Sequence, residues 1–336
     1  MVLTVGIDVG STYTKAIMLD GDDNIVTKVM RQTGFKLSEV SQQCFDDLLK
    51  ESNKDASEID YVVATGYGRH QVKFKDVHVT DLTAGARGAK LLFPGTQTVL
   101  DIGGQTMKAI RVEEDGTVKA FRLNDKCAAG TGAFLEKTGR YMGYETTAIA
   151  KLLEGATRPA EISGVCAVFA ESEVINQLSI GTPPADIMQG AIDSLTTRAI
   201  QLMKRVKGEA EYTLIGGIMR FPSMPRAVEK KQEMQVNLAD EEMSQFISAL
   251  GAAWLGRHRF SKITSPEFLE SEGWERRFMG DDEKIAEHKA NYESMGYEVK
   301  IVAPVNAEFS SDCGDCAETA CAEYKVIYTK KTTSNV

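Results

Sequence analysis

Two Asp-x-Gly turns, each closing an apolar strand pattern, are where this chain can do chemistry: Asp8-Val9-Gly10-Ser11-Thr12 and Asp101-Ile102-Gly103-Gly104-Gln105. A carboxylate at a strand end, next to a turn rich in backbone N–H groups and hydroxyls, suits phosphate oxygens. Asp8 is placed to hold hydrated Mg2+, which takes one or two carboxylates and fills its remaining positions with phosphate and water. Lys15 reaches the same phosphates, Asp101 offers a second carboxylate, and Gln105 is suited to orient a water. A third glycine pair, Gly216 and Gly217 after a strand, lets backbone lie flat against an adenine or ribose. Any one of these turns alone reads as a plain hairpin, whereas three in register point to a nucleotide. Neither a Walker A sequence nor a GxGxxG after a strand is present, so P-loop and Rossmann readings lack their carrier.

The cysteines form the second constellation. Cys127, in NDKCAAGTGAFLE, and Cys166, in SGVCAVFAESEVI, each stand just ahead of a helical run. There the exposed N–H groups and the helix dipole favour thiolate and metal ligation. Two such ligands are half of what a [4Fe-4S] cluster takes, and a symmetric dimer giving two from each subunit completes the set. Two buried structural cysteines are the alternative. Cys313, Cys316 and Cys321, in CGDCAETAC, are three clustered ligands with no evident fourth, so a second metal site, a redox pair and incidental thiols stay open. Cys44 lies on an apolar helical face and belongs to the core.

The elements that must position these residues follow from hydrophobic periodicity. Residues 2–9, 14–19 and 25–30 read as an antiparallel meander, 37–52 as a helix, 61–64 as a short buried strand and 81–92 as a helix stopped by Pro94 and Gly95. The pattern then restarts with strands at 98–102, 108–112 and 118–122, so the opening module occurs twice. Helical spacing marks 132–142, 169–178 and 187–206, a strand covers 212–215, and 244–256 is a small-residue helix. After about residue 264 the character changes to an acidic, aromatic stretch, a helix at 281–295, a strand at 298–302 and the cysteine-bearing tail.

The chain's 336 residues suffice for about two core-bearing units. Hydrophobic residues at 43% and charged residues at 26%, with 29 Gly and 8 Pro, exclude a disordered or collagenous chain. A net charge of -9, from 39 basic and 48 acidic residues, removes the basic field that nucleic acid would need. No apolar run reaches the roughly 18 residues of a membrane span, and the start MVLTVGIDVG carries no signal-peptide pattern. A cytoplasmic protein with no membrane or nucleic-acid partner is expected. Six cysteines are too few and too scattered for a disulfide framework.

The stretches GIDVGSTYTK, ATGYGR, DIGGQ, NDKCAAGTGAFLE, CAVFAESEVI, GGIM and ALGAAWLG, spread over residues 1 to about 260, resemble the activator ATPases of 2-hydroxyacyl-CoA dehydratases and benzoyl-CoA reductases. This is the BadF/BadG/BcrA/BcrD type within the actin, sugar kinase and Hsp70 superfamily. The resemblance implies an α/β fold of two ribonuclease-H-like lobes with ATP between them: lobe I at 1–95, completed by the helix 244–260, lobe II at 96–243, and a small α/β extension at 264–336. It implies a homodimer with one [4Fe-4S] cluster bridging the subunits through Cys127 and Cys166. ATP or ADP and Mg2+ would then be held by Asp8, Gly10, Ser11, Thr12, Lys15, Asp101, Gly103, Gly104 and Gln105. Residues 130–136, including Gly130, Gly132 and Glu136, would line the nucleotide with Gly216 and Gly217. The implied activity is gated electron transfer, in which ferredoxin or flavodoxin reduces the cluster. ATP hydrolysis then drives a low-potential electron to a partner iron-sulfur enzyme of the dehydratase, benzoyl-CoA reductase or double-cubane type.

Two features depart from the family pattern. Thr106 stands where an Asp is usual, although Lys108 is kept, and the segment after 264 has no family counterpart. A metabolite kinase with Asp101 as base, and a nucleotide-sensing assembly protein docking through the Cys313 to Cys321 segment, are the rival functions. The paired helix-start cysteines argue against the kinase, and the intact glycine clamps retain ATP binding in either case.

Overall fold

The computed structural model describes residues 2–124, 131–163, 167–240, 242–304 and 324–331, which divide into two compact units, Met1–Arg257 and His258–Val336. The first unit opens with three strands, β1 (Thr4–Val9), β2 (Tyr13–Leu19) and β3 (Ile25–Gln32), followed by helix α1 (Leu37–Ser52), β4 (Tyr61–Thr65), the short β5 (Val77–His78) and α2 (Asp81–Leu92). The pattern recurs in β6 (Thr98–Ile102), β7 (Met107–Val112) and β8 (Val118–Asn124). Helices α3 (Gly132–Tyr141), α4 (Ile149–Leu153), α5 (Ala167–Ser179) and α6 (Pro184–Arg205) come next. Then follow β9 (Tyr212–Ile215), α7 (Ser223–Gln232), β10 (Asn237–Leu238) and α8 (Ile247–Ile263).

These strands form two five-stranded sheets of the same design. The first runs β3-β2-β1-β4-β5 and the second β8-β7-β6-β9-β10. In each, an antiparallel meander is extended by parallel strands. The innermost strands, β1, β4 and β6, are buried along their whole length, as continuous apolar runs require when both faces are covered. Helix α1 covers one face of the first sheet. Its Val40, Cys44, Phe45 and Leu48 recur at helical spacing, and the last three join Val5, Ile7 and Ala64 in one cluster. Helix α6 covers the second sheet, where Met188, Ile192, Leu195 and Ala199 pack against Leu100, Ile102 and Met107.

Between the sheets run α2 and α8. Helix α8 places Ala249, Leu250 and Ala253 against Ile17 and Leu19 of the first sheet. Ala86 and Ala89 of α2 meet Val99 and Ile110 of the second. The two helices approach to backbone contact at Gly251, where any Cβ would overlap the Ala84 carbonyl oxygen. That is why ALGAAWLG is rich in small residues: bulk here would push the sheets apart. Helix α2, which falls within lobe I by its place in the sequence, thus packs its small-residue face on the second sheet.

The second unit contains α9 (Pro266–Ser271), β11 (Glu275–Gly280), α10 (Asp282–Ser294), β12 (Tyr297–Val302) and β13 (Lys325–Lys331), with an antiparallel sheet in the order β11-β13-β12. Leu269, Trp274, Val302, Val326 and Tyr328 form its own small core. Sequence periodicity points to α10 and β12 but to neither β11 nor β13. In ERRFMG three of six residues are strongly exposed charges, and the segment becomes a strand only by pairing with residues far along the chain. Cys127, Cys166, Cys313, Cys316, Cys321 and Gly130 lie outside the described residues. Among those described, no helix is long and apolar enough to cross a membrane.

Candidate nucleotide site

Strand register builds the site. In the first sheet, Asp8 stands opposite Lys15 of β2 and beside Thr65 of β4. Residues directly opposite on antiparallel strands share a face, so the Lys15 Nζ donates to Asp8 Oδ2 at 3.1 Å. In the second sheet, Asp101 stands opposite Lys108 of β7 and beside Ile215 of β9, and Lys108 Nζ donates to Asp101 Oδ2 at 2.6 Å. The turns match as well: the Gly10 N–H donates to the Tyr13 carbonyl at 3.1 Å, and the Gly103 N–H to the Thr106 carbonyl at 2.8 Å. Thr106 therefore occupies the position of Tyr13 in the first copy.

The repeat extends to a glycine that follows each parallel strand. Gly66 has φ +84° and Gly216 φ +101°, a region that L side chains rarely adopt. A Cβ on Gly66 would overlap Asp8 Oδ1, and one on Gly216 would lie 2.7 Å from Asp101 Oδ1. Both carboxylates are thus approached by bare backbone at Oδ1, while Oδ2 accepts from the lysine of the same hairpin.

One cleft of about 570 Å³ gathers these parts. Asp8, Gly10, Ser11, Thr12 and Lys15 line it from the first sheet, and Asp101, Gly103, Gly104, Gln105, Gly216 and Gly217 from the second. The two turns abut, since a Cβ on Gly104 would overlap Thr12 Oγ1 and lie 3.4 Å from Ser11 Oγ. Gly132 stands behind the lining: its N–H donates to the Gly103 carbonyl at 3.0 Å, and that of Ala133 to the Gly104 carbonyl at 2.8 Å. Glu136 is half-buried on α3 and does not reach the lining.

Several lining residues were not singled out from the sequence, among them Gly66, Tyr67, Arg69, Asp81, Gln245 and Ser248. Gly66 and Arg69 lie within ATGYGR, a motif visible in the chain without a role to attach to it. Asp81 carried no such signal. It starts α2, where the Thr80 hydroxyl caps the helix by accepting from the Thr83 N–H, and from there reaches Lys108 Nζ at 3.1 Å.

The electrostatics are those of a cation held between carboxylates. Burial pushes the Asp101 carboxyl above the usual carboxylate range, against the pull of Lys108. Burial also works against charge on Lys108, but Asp101 and Asp81 outweigh it and hold the ammonium above the usual lysine range. Among the described residues no cluster of three or more His, Cys, Asp or Glu forms a ready-made cage for a metal. This donor set fits Mg2+, which needs one or two carboxylates and draws its other ligands from phosphate and water.

Two like-built five-stranded sheets, with a nucleotide-sized cleft between their Asp-Gly turns, define an α/β protein of two repeated lobes. More specifically, the chain belongs to the BadF/BadG/BcrA/BcrD ATPase family, whose model matches residues 5–256 and so covers nearly the whole of the first unit. The activator of lactoyl-CoA dehydratase from Anaerotignum propionicum is 40% identical over 250 residues, 74% of this chain and 95% of that one. Among solved structures, (R)-2-hydroxyglutaryl-CoA dehydratase component A of Acidaminococcus fermentans superposes with a TM-score of 0.74 at 35% identity, covering 78% of this chain and 100% of that one. The activator of the 2-hydroxyisocaproyl-CoA dehydratase from Clostridium difficile, with bound ADPNP, gives 0.72 at 30% identity, covering 81% and 97%.

Proposed function

We propose that this protein is an ATP-driven electron-transfer activator. Working as a cytoplasmic homodimer, it passes a low-potential electron from ferredoxin or flavodoxin to an iron-sulfur enzyme of the dehydratase or benzoyl-CoA reductase class. The observation that carries the reading is the hydrogen-bonded junction between the Gly103-Gly104 turn and the start of α3. Gly132 and Ala133 donate to the phosphate turn itself, and Cys127 precedes them by only a few residues in the chain. A shift of that turn on nucleotide binding or hydrolysis acts at the start of α3, which follows the proposed cluster ligand Cys127 closely in the sequence.

In this reading Asp8 and Asp101 hold Mg2+ through its water shell and Lys15 and Lys108 hold the two carboxylates in place. The N–H groups of the Gly10 and Gly103 turns face the phosphates, Gln105 orients the attacking water, and the Gly216-Gly217 backbone lies against the base and ribose. A [4Fe-4S] cluster bound by Cys127 and Cys166 of each subunit would supply the one-electron carrier. The chain's contribution is a population shift: the cleft must favour the donating geometry with ATP and the resting one with ADP, because a nucleotide that binds both equally moves nothing.

The test is iron and acid-labile sulfide per dimer, with EPR of the dithionite-reduced protein, on anaerobically purified wild type and Cys166→Ala. Four irons per dimer, lost in Cys166→Ala, are expected. An iron-free wild type would sink the electron-transfer reading and bring a kinase activity forward, to be sought as phosphorylation of a small hydroxylated metabolite.

A further inference from the structure

The cleft holds three carboxylates, Asp8, Asp81 and Asp101, and three cations, Lys15, Lys108 and Arg69. Their pairing is uneven. Lys15 is bound to Asp8, and Lys108 to both Asp101 and Asp81. Arg69, by contrast, makes no ion pair with a carboxylate among the described residues. Its Nη1 donates to the Gly66 carbonyl at 3.0 Å, and its Nε is buried with no hydrogen-bond partner. A guanidinium anchored at one nitrogen, with its buried Nε unpartnered beside the cleft, presents donors suited to an anion.

The internal repeat provides a control for what the fold itself needs at this place. Gly66 after β4 corresponds to Gly216 after β9, so Arg69 corresponds to Met219. Met219 is 1% exposed and packs in the core of the second sheet. The same turn is thus served by an apolar side chain where no charge is required, and the arginine is not a demand of the architecture. Its cost, a buried Nε without a partner, implies a return elsewhere.

Direction along the cleft follows from the same correspondence. Gly216 and Gly217 close the second sheet, where the base and ribose are placed above, whereas Arg69 follows β4 of the first sheet, behind the glycine that covers Asp8. A triphosphate running from the former towards the latter brings its free end to the arginine. We infer that Arg69 contacts the terminal phosphate of the bound nucleoside triphosphate and so distinguishes it from the diphosphate, an inference that rests on the nucleotide reading above. Such a contact lets the first sheet respond to hydrolysis: when the terminal phosphate leaves, Arg69 loses its anion while the second sheet keeps the nucleoside.

The experiment is calorimetric titration of full-length wild type, Arg69→Ala, Arg69→Met and Arg69→Lys with ADPNP and with ADP in the presence of Mg2+. Arg69→Met carries the side chain that the fold uses at the equivalent place, so it keeps the native melt even where Arg69→Ala does not. Arg69→Met is expected to weaken ADPNP by roughly ten- to a hundredfold, the range for a hydrogen bond to a charged group, while ADP affinity stays at the wild-type value. Arg69→Lys should fall between the two. Equal weakening of both nucleotides, or of neither, in Arg69→Met would overturn the assignment. A wild type that binds neither nucleotide would instead overturn the nucleotide reading and this inference with it.

Discussion

Asp101 and Lys108 face each other across β6 and β7 with 2.6 Å between carboxylate and ammonium, and only about a tenth of either side chain is exposed. Lys108 also meets Asp81 at 3.1 Å, so a single cation compensates two carboxylates. Lys108→Met should therefore destabilise the protein by about 3–5 kcal/mol, the usual cost of stranding a buried charge. Adding Asp101→Asn should recover part of that loss, because one of the stranded charges is then gone. Urea midpoints of the two variants test this, and a Lys108→Met protein as stable as wild type would mean that the pair contributes nothing.

Gly216 separates strain from ordinary flexibility. Gly216→Ala combines an unfavourable φ with a Cβ 2.7 Å from Asp101 Oδ1, and should abolish nucleotide binding as well as lower the melting temperature. Gly143 has φ +79° but no atom within 4 Å of where a Cβ would stand, so Gly143→Ala should cost only the left-handed penalty of about 1–2 kcal/mol and leave nucleotide affinity intact. Thermal melts with nucleotide titrations distinguish the two, and equal effects would contradict the close approach at Gly216.

Cys44 carries a pH prediction. Burial, with a contribution from Asp47, pushes its thiol from 9.0 up to about 12. The folded protein then holds this proton more tightly than the unfolded chain, so the associated stability is fully present below about pH 9 and is lost as pH rises towards 12. Urea denaturation at pH 8 and pH 10 should show a decline that is smaller in Cys44→Ala than in wild type. The same burial predicts that a thiol reagent labels Cys44 only after denaturant is added, and rapid labelling of the native protein would show the site to be open.

The cores divide at the unit boundary, since the four clusters of the first unit draw only on residues up to Trp254 and the fifth begins at Leu269. Cutting after residue 264, beyond the end of α8, leaves those four clusters whole. The shortened chain should fold and bind ADPNP with the affinity of the full protein. A large loss of affinity on truncation would show that the second unit supports the site.

Much of the site is legible in the chain because its geometry is local. Asp8 and Lys15, like Asp101 and Lys108, sit on consecutive strands joined by a short Gly turn, so naming the hairpin fixes which side chains oppose each other. The duplication of the motif likewise announces two sheets of one design. The small-residue run of α8 marks a tight helix, although nothing in it says which backbone it must admit.

The rest was decided by contacts between distant segments. Gly66 covers Asp8 and Gly216 covers Asp101 only because β4 and β9 insert parallel to the first strand of each meander, and a parallel pairing is not written in the spacing of either segment. Asp81 reaches Lys108 only once α2 lies on the second sheet, and among the described residues Arg69 pairs with no carboxylate once Asp8, Asp81 and Asp101 have taken Lys15 and Lys108. The Asp-Gly turns, the lysines that face them and the repeat are all products of short-range register and can be read along the chain. Which glycines shield the carboxylates, and which cation of the cleft pairs with no carboxylate among the described residues, came from packing that closes long loops of chain.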